Sequence, residues 1–239
     1  MLRVSHLTKK FGELVAVNDL SFHVAEGQIY GIAGPNGAGK STIYNLITGY
    51  HDFEGEILFD GTPIAGMAPH KIAQLGISRT FQVPETFPSL TAAQSIGVGC
   101  HFGDSEAYDQ ARVDEIIAFL DLAQDRDCMA DELNLLGKKK VMIGAALATR
   151  PKILLLDEPM AGSNAHEIRD LMELIKRINQ EMGVTIIIIE HFMKVLTELT
   201  QKLLIIDAGA RIAEGDPEEV IRDPHVIECY LGEEYADNS

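Results

Sequence analysis

Between Gly34 and Thr42 the chain reads GPNGAGKST, which fits G-x-x-x-x-G-K-[ST]. That spacing suits phosphate. Glycines at 34, 37 and 39 let a loop containing Pro35, Asn36 and Ala38 curl, so that successive backbone N–H groups face one anion. Lys40 then reaches toward β- and γ-phosphates, and Ser41 offers a hydroxyl to Mg²⁺. Thr42 lies in the segment whose helical N-terminus adds a positive dipole end.

Two acids have the complementary chemistry. ILLLDEP (Ile153 to Pro159) is a short apolar run ending in Asp157 and Glu158, which reads as a buried parallel strand. Carboxylates at the C-terminal end of such a strand point to the place where open α/β sheets bind nucleotides. Asp157 is expected to hold Mg²⁺ through water, and Glu158 to polarise an attacking water as general base. A third apolar run, Val184 to Ile189, is β-branched and strand-forming. His191 follows it, in position for a γ-phosphate contact.

The elements that must carry these groups are legible. QIYGIA (Gln28 to Ala33) predicts a strand before the glycine loop, and STIYNLITG a helix after it. GEILFDG alternates and ends in Asp-Gly, a strand leading to a tight turn. Val113, Ile116, Ile117 and Leu120 follow helical spacing. Asn164 with Glu167 three residues on forms a capping box for a long helix. Ile168, Leu171, Met172, Ile175 and Ile178 make its apolar face, and Gly183 ends it. Asp216 with Pro217 opens a short C-terminal helix.

Composition narrows the function class. The chain has 239 residues and a net charge of −16, from 36 acids against 20 bases. Nucleic acid is therefore not an expected partner, because phosphate-backbone binding needs a basic footprint. Cys100, Cys128 and Cys229 are scattered and odd in number, which supports neither a zinc site nor a disulfide framework and fits a reducing compartment. The N-terminus has no signal-like apolar run. The longest apolar run is too short to span a bilayer, so membrane association is expected only through a partner.

Taken together, these motifs resemble the nucleotide-binding subunits of ABC transporters over nearly the whole chain. The resemblance implies an α/β fold: a P-loop NTPase (RecA-like) core with an antiparallel β subdomain and an inserted helical subdomain. The core would hold residues 1–86 and 150–239, and the helical subdomain 87–149. ATP and Mg²⁺ are the implied ligands. Phe11 of KKFG takes the position of the aromatic that stacks on adenine. Gly34 to Thr42 corresponds to Walker A, and Gln82 of RTFQ to the Q-loop, where it contacts the metal and the reacting phosphate. Asp157 and Glu158 correspond to Walker B and the catalytic glutamate, and His191 to the switch histidine. Asn164 stands in the D-loop where many members have aspartate.

SRTFQ, DEPMAGSN and the tail EGDPEEVIRDPHVIECYLGEEY are most similar to the ATPases of branched-chain amino-acid importers. ATPases of urea or amide importers and of lipopolysaccharide exporters are close alternatives, and a soluble non-transport ABC ATPase is a more distant one. The implied partners are transmembrane permease subunits, a second ATPase subunit and, indirectly, a periplasmic or extracellular substrate-binding protein. The implied location is peripheral, on the cytoplasmic face of the membrane. Phe87 and Leu90, in the segment after Gln82, are candidates for contact with the permease.

LNLLG (Leu133 to Gly137) occupies the slot of the family signature L-S-G-G-Q, which closes on the nucleotide of the opposite protomer. Asn134 replaces the serine as a hydrogen-bond donor, and Gly137 is displaced one place past the usual glycine pair. Leu135 and Leu136 add bulk and restrict φ > 0 conformations. The helix dipole and Lys138, Lys139 and Lys140 remain to attract phosphate. The expectation is a hetero-pair, in which a different subunit supplies an intact signature. A homodimer is the other reading.

Overall fold

The computed structural model describes residues 1–102 and 108–236. In chain order its elements are β1 (Leu2–Phe11), β2 (Leu14–Val24), β3 (Ile29–Ala33), α1 (Lys40–Ile47), β4 (Glu54–Phe59), β5 (Thr62–Pro63), α2 (Pro69–Leu75) and β6 (Ile77–Arg79). There follow α3 (Ala92–Cys100), α4 (Gln110–Phe119), α5 (Leu135–Ala148), β7 (Ile153–Asp157) and α6 (Ala165–Met182). The chain closes with β8 (Thr185–Ile189), α7 (Met193–Leu199), β9 (Lys202–Asp207), β10 (Ala210–Gly215), α8 (Pro217–Val220) and α9 (Pro224–Ala236). These elements form two compact units, one made of Met1–Pro69 with Thr185–Ser239, the other of His70–Val184.

The first unit carries an antiparallel sheet in the order β2-β1-β4-β5. In β4 the alternating pattern works as read: Ile57 and Phe59 are buried while Glu54 and Glu56 face water, and Asp60-Gly61 turns the chain so that Phe59 pairs with Thr62. The same unit contains strands in the order β10-β9-β3-β8. β3 runs parallel to both β8 and β9, and β10 is antiparallel to β9. IYGIA and TIIII are buried at every residue, as strands covered on both faces must be. α1 contributes Ile43, Tyr44, Leu46 and Ile47 to this core. Tyr44 is fully buried and its hydroxyl donates to the Ile187 carbonyl at 2.7 Å, which satisfies the one polar atom it carries inward.

The second unit pairs β6 with β7 in parallel, placing Arg79 opposite Leu155. The four apolar positions read for α4 are all buried. α6 begins as its sequence requires: the Asn164 side chain accepts from the His166 and Glu167 N–H groups, and the Glu167 carboxylate accepts from the Asn164 N–H. Leu171, Met172, Leu174, Ile175 and Ile178 are buried along it, while Ile168 is half-exposed. Each fully buried aliphatic of this kind stabilises the fold by about 1.5–3 kcal/mol. Gly144 of α5 leaves room for Ile96 of α3 and for Leu120, so the helices close on one another through small residues. Among the described residues no helix is long and apolar enough to cross a membrane.

Candidate functional site

The phosphate loop lies in the first unit. β3 ends at Ala33, the chain turns through Gly34 to Gly39, and α1 starts at Lys40. The loop is packed against its surroundings. A Cβ on Gly34 would fall 2.0 Å from the Ile206 carbonyl oxygen, and one on Gly39 2.3 Å from that of Ala16. Gly39 also has φ 101°, a conformation that favours glycine. Lys40 is 6% exposed. Its ammonium donates to the Gly34 and Pro35 carbonyls at 2.6 and 2.8 Å, so the loop is wrapped around its own cation. Pro35 and Ala38 are buried, whereas Asn36, Gly37 and Ser41 face solvent and Thr42 is half-buried. The first-turn N–H groups of a helix have no intrahelical acceptor. Together with the ammonium they make a fixed anion-binding surface that fits a polyphosphate.

Phe11 ends β1, is 43% exposed, and meets His51 edge-on at 5.2 Å between ring centroids. Its ring also carries the Lys9 ammonium at 5.1 Å. A partly exposed ring in this setting can stack on a planar base. His191 follows β8 and is half-buried, and its backbone N–H donates to the buried Glu190 carboxylate at 3.2 Å.

The acids lie in the second unit. β7 is buried throughout and Asp157 is its last residue. Its Oδ2 accepts from Arg79 Nη2 at 2.6 Å. Glu158 has φ 47°, and holding a non-glycine residue there costs about 1–3 kcal/mol, strain of the kind that collects at functional positions. Its Oε2 accepts from Gln82 Nε2 at 2.6 Å. The two acids sought from sequence are thus each held by a residue of the segment leaving β6. Asp157 in the second unit and the Ser41 hydroxyl in the first are each oxygen donors, the kind of group Mg²⁺ prefers.

The LNLLG segment opens α5. Asn134 is the N-cap, and its Oδ1 accepts from the Gly137 N–H at 2.8 Å. The capping oxygen is therefore used inward, and the side-chain amide NH₂ is the group suited to donate. Leu135 and Leu136 are the first helical residues, and neither they nor Gly137 has positive φ. The substitutions change bulk at the helix start and leave its backbone regular. Leu135 is 37% exposed, and its Cδ2 lies 3.3 Å from where a Cβ on Gly162 would be. The three lysines do not act alike. Lys139 is 2% exposed and donates to the Ala161 carbonyl and to Ser163 Oγ, so it is not a surface cation for phosphate. It points inward because its helical phase faces the loop after β7.

In the segment after Gln82, Phe87 is 49% exposed as expected. Leu90 is half-buried, since its carbonyl accepts from the Ala130 N–H. Val83, not singled out from sequence, is more exposed than either, at 70%. Arg79 also escaped assignment, and Lys139 was read only as part of a phosphate-attracting run. The only available signal for Arg79 was a cation at the end of a strand-like run just before Gln82.

Comparison with known proteins identifies the family whose members share these motifs. Residues 17–161 match the family model described as ABC transporter, and residues 210–236 match one described as branched-chain amino acid ATP-binding cassette transporter. The high-affinity branched-chain amino acid transport ATP-binding protein BraF of Pseudomonas aeruginosa is 36% identical over 250 aligned positions, covering 98% of each chain. A crystal structure of a nucleotide-free ATP-binding cassette from an ABC transporter superposes with a TM-score of 0.87 at 31% identity, covering 96% of this chain and 98% of that one. A dimeric ATP-binding cassette in a post-hydrolysis state, bound to ADP and Pi, superposes with a TM-score of 0.81 at 25% identity, covering 91% and 99%.

Proposed function

The chain belongs to the ABC transporter family of ATP-binding proteins, and on that premise we propose that it powers the import of branched-chain or other hydrophobic amino acids. It is an ATPase with the P-loop fold of that family. The likeness to BraF over 98% of both chains, extending to the branched-chain-type match at residues 210–236, is the observation that carries the substrate reading.

In this reading Gly34 to Thr42 cradle the polyphosphate, and Phe11 stacks on the base. Ser41, Asp157 and Gln82 would hold Mg²⁺, which would screen the phosphate charge. Glu158 removes a proton from the attacking water, and His191 steadies the transferring phosphate. Residues 1–86 and 150–239 work as the nucleotide core, and residues 87–149 as a helical subdomain that receives the permease. The subunit sits at the cytoplasmic face against permease subunits, with a substrate-binding protein acting on the far side. Asn134 and Gly137 contact the nucleotide of a second ATPase subunit, and that subunit is a different chain.

The test is transport itself. The subunit is purified with its permease and binding protein and placed in liposomes. ATP-dependent uptake of radiolabelled leucine, isoleucine and valine is then measured beside urea. Leucine uptake that Glu158→Gln abolishes is the expected result. Urea uptake without leucine uptake would overturn the substrate. Light scattering of Glu158→Gln with ATP and Mg²⁺ tests the pairing: a persistent monomer that binds ATP is expected, and a homodimer would overturn the hetero-pair.

A further inference from the structure

Asp157 is already engaged by a cation. Arg79 is the last residue of β6, and the β6–β7 register sets it opposite Leu155, two positions short of the acid. From there its Nη2 reaches Asp157 Oδ2 at 2.6 Å, with the two side chains 9% and 4% exposed. The guanidinium also lies over the Phe81 ring, 5.2 Å from its centroid. Three residues further on, Gln82 donates to Glu158 at 2.6 Å. The segment from Arg79 to Gln82 therefore engages both acids at the end of β7.

We propose that Arg79 competes with the nucleotide-associated divalent cation for Asp157 and so sets the cation affinity of this subunit. The inference rests on the reading of Asp157 as the metal carboxylate, which its oxygen-only chemistry fits. An arginine cannot leave by losing its charge, because the guanidinium stays protonated in proteins. It must turn off Oδ2 or share the carboxylate with a second cation, and like charges a few ångströms apart in a buried site repel. Either way, cation binding is opposed by an interaction that is already made. Removing the charge at position 79 should therefore tighten cation binding. A purely structural arginine would do the opposite on removal, because Asp157 would lose the contact that orients it.

The test uses Mn²⁺ as the probe, with free and bound ion separated by electron paramagnetic resonance in the full-length protein at saturating ATP. Arg79→Gln is expected to bind Mn²⁺ about tenfold more tightly than wild type, as removal of a competing state predicts. Arg79→Lys keeps the charge and is expected to stay close to wild type. ATP affinity in EDTA should be the same in all three. Unchanged or weaker Mn²⁺ binding by Arg79→Gln would overturn the proposal.

Should Arg79→Gln fail to fold, the wild type still decides. Its Arg79 side-chain ¹⁵N resonance, assigned with Arg79→Lys, is expected to shift when Mg²⁺ is added to the ATP complex, and a stationary resonance overturns the proposal. Asp157→Asn separates the two levels of the argument. If it leaves Mn²⁺ affinity untouched, the metal-carboxylate reading fails. If it weakens Mn²⁺ and Arg79→Gln does not tighten it, only the competition fails.

Discussion

The Lys139 ammonium lies 2.7 Å from Ser163 Oγ and 2.6 Å from the Ala161 carbonyl, which it meets from the first turns of α5. This ties the LNLLG helix to the loop after β7. Buried hydrogen bonds from a charged donor contribute about 1.5–3 kcal/mol each. Lys139→Met is expected to lose about 3 kcal/mol in urea unfolding. Lys138→Met and Lys140→Met, whose side chains are half-buried, should lose less than about 1 kcal/mol. Equal losses at all three positions would show that the ammonium is not held as described.

Asn134 bonds the Gly137 N–H through Oδ1 at 2.8 Å. Asn134→Ala should cost about 1 kcal/mol by loss of this cap, and Asn134→Asp should restore it. Thermal unfolding of the two variants is the measurement. A shift of the same size in both would point to the amide NH₂ instead.

Glu158 is expected to be dispensable for ATP binding and required for turnover. Glu158→Gln should slow phosphate release by about 10²–10⁴-fold, the usual contribution of a positioned base, with ATP affinity by equilibrium dialysis held near wild type. Near-normal phosphate release would assign the base elsewhere.

At Gly39, φ 101° and the 2.3 Å approach to the Ala16 carbonyl leave no place for a methyl group. Gly39→Ala should destabilise the protein by at least about 2 kcal/mol, and it should weaken ATP binding because the loop shifts around Lys40. Unaltered ATP affinity would show that the loop adapts.

Glu214, bonded to Tyr30 of β3, gives a pH signature. Burial raises its pKa, but hydrogen bonds from Lys202 and the Tyr30 hydroxyl, the Lys202 charge and Arg211 outweigh that and hold it below the ordinary 4.5. A carboxylate with a depressed folded-state pKa contributes stability that is present above the unfolded value and lost as pH falls through the folded one. Stability should therefore drop as pH falls below about 4.5, and Glu214→Gln should flatten that part of the curve. An unchanged acid limb in the variant would remove Glu214 from the account.

The parts whose cause lies within a few residues were readable from the sequence alone. The strand–loop–helix from Gln28 to Ile47 follows from an apolar run, glycine spacing and a helical pattern. The α6 capping box needs only Asn164 and Glu167. The run ending at Asp157 declares a buried strand by composition. These patterns are local because hydrogen bonds in turns and caps, and the periodicity of side chains along one element, depend on near neighbours.

Tertiary structure decided what holds those groups. Arg79 meets Asp157 across 78 positions and Gln82 meets Glu158 across 76, both through the register of β6 on β7. In the lysine run, the phase of α5 sends Lys139 inward and leaves its neighbours partly exposed. Three identical side chains in a row carry no mark of which one is buried. Only packing assigns it, because burying a charge is stabilising solely where partners wait to receive its hydrogen bonds.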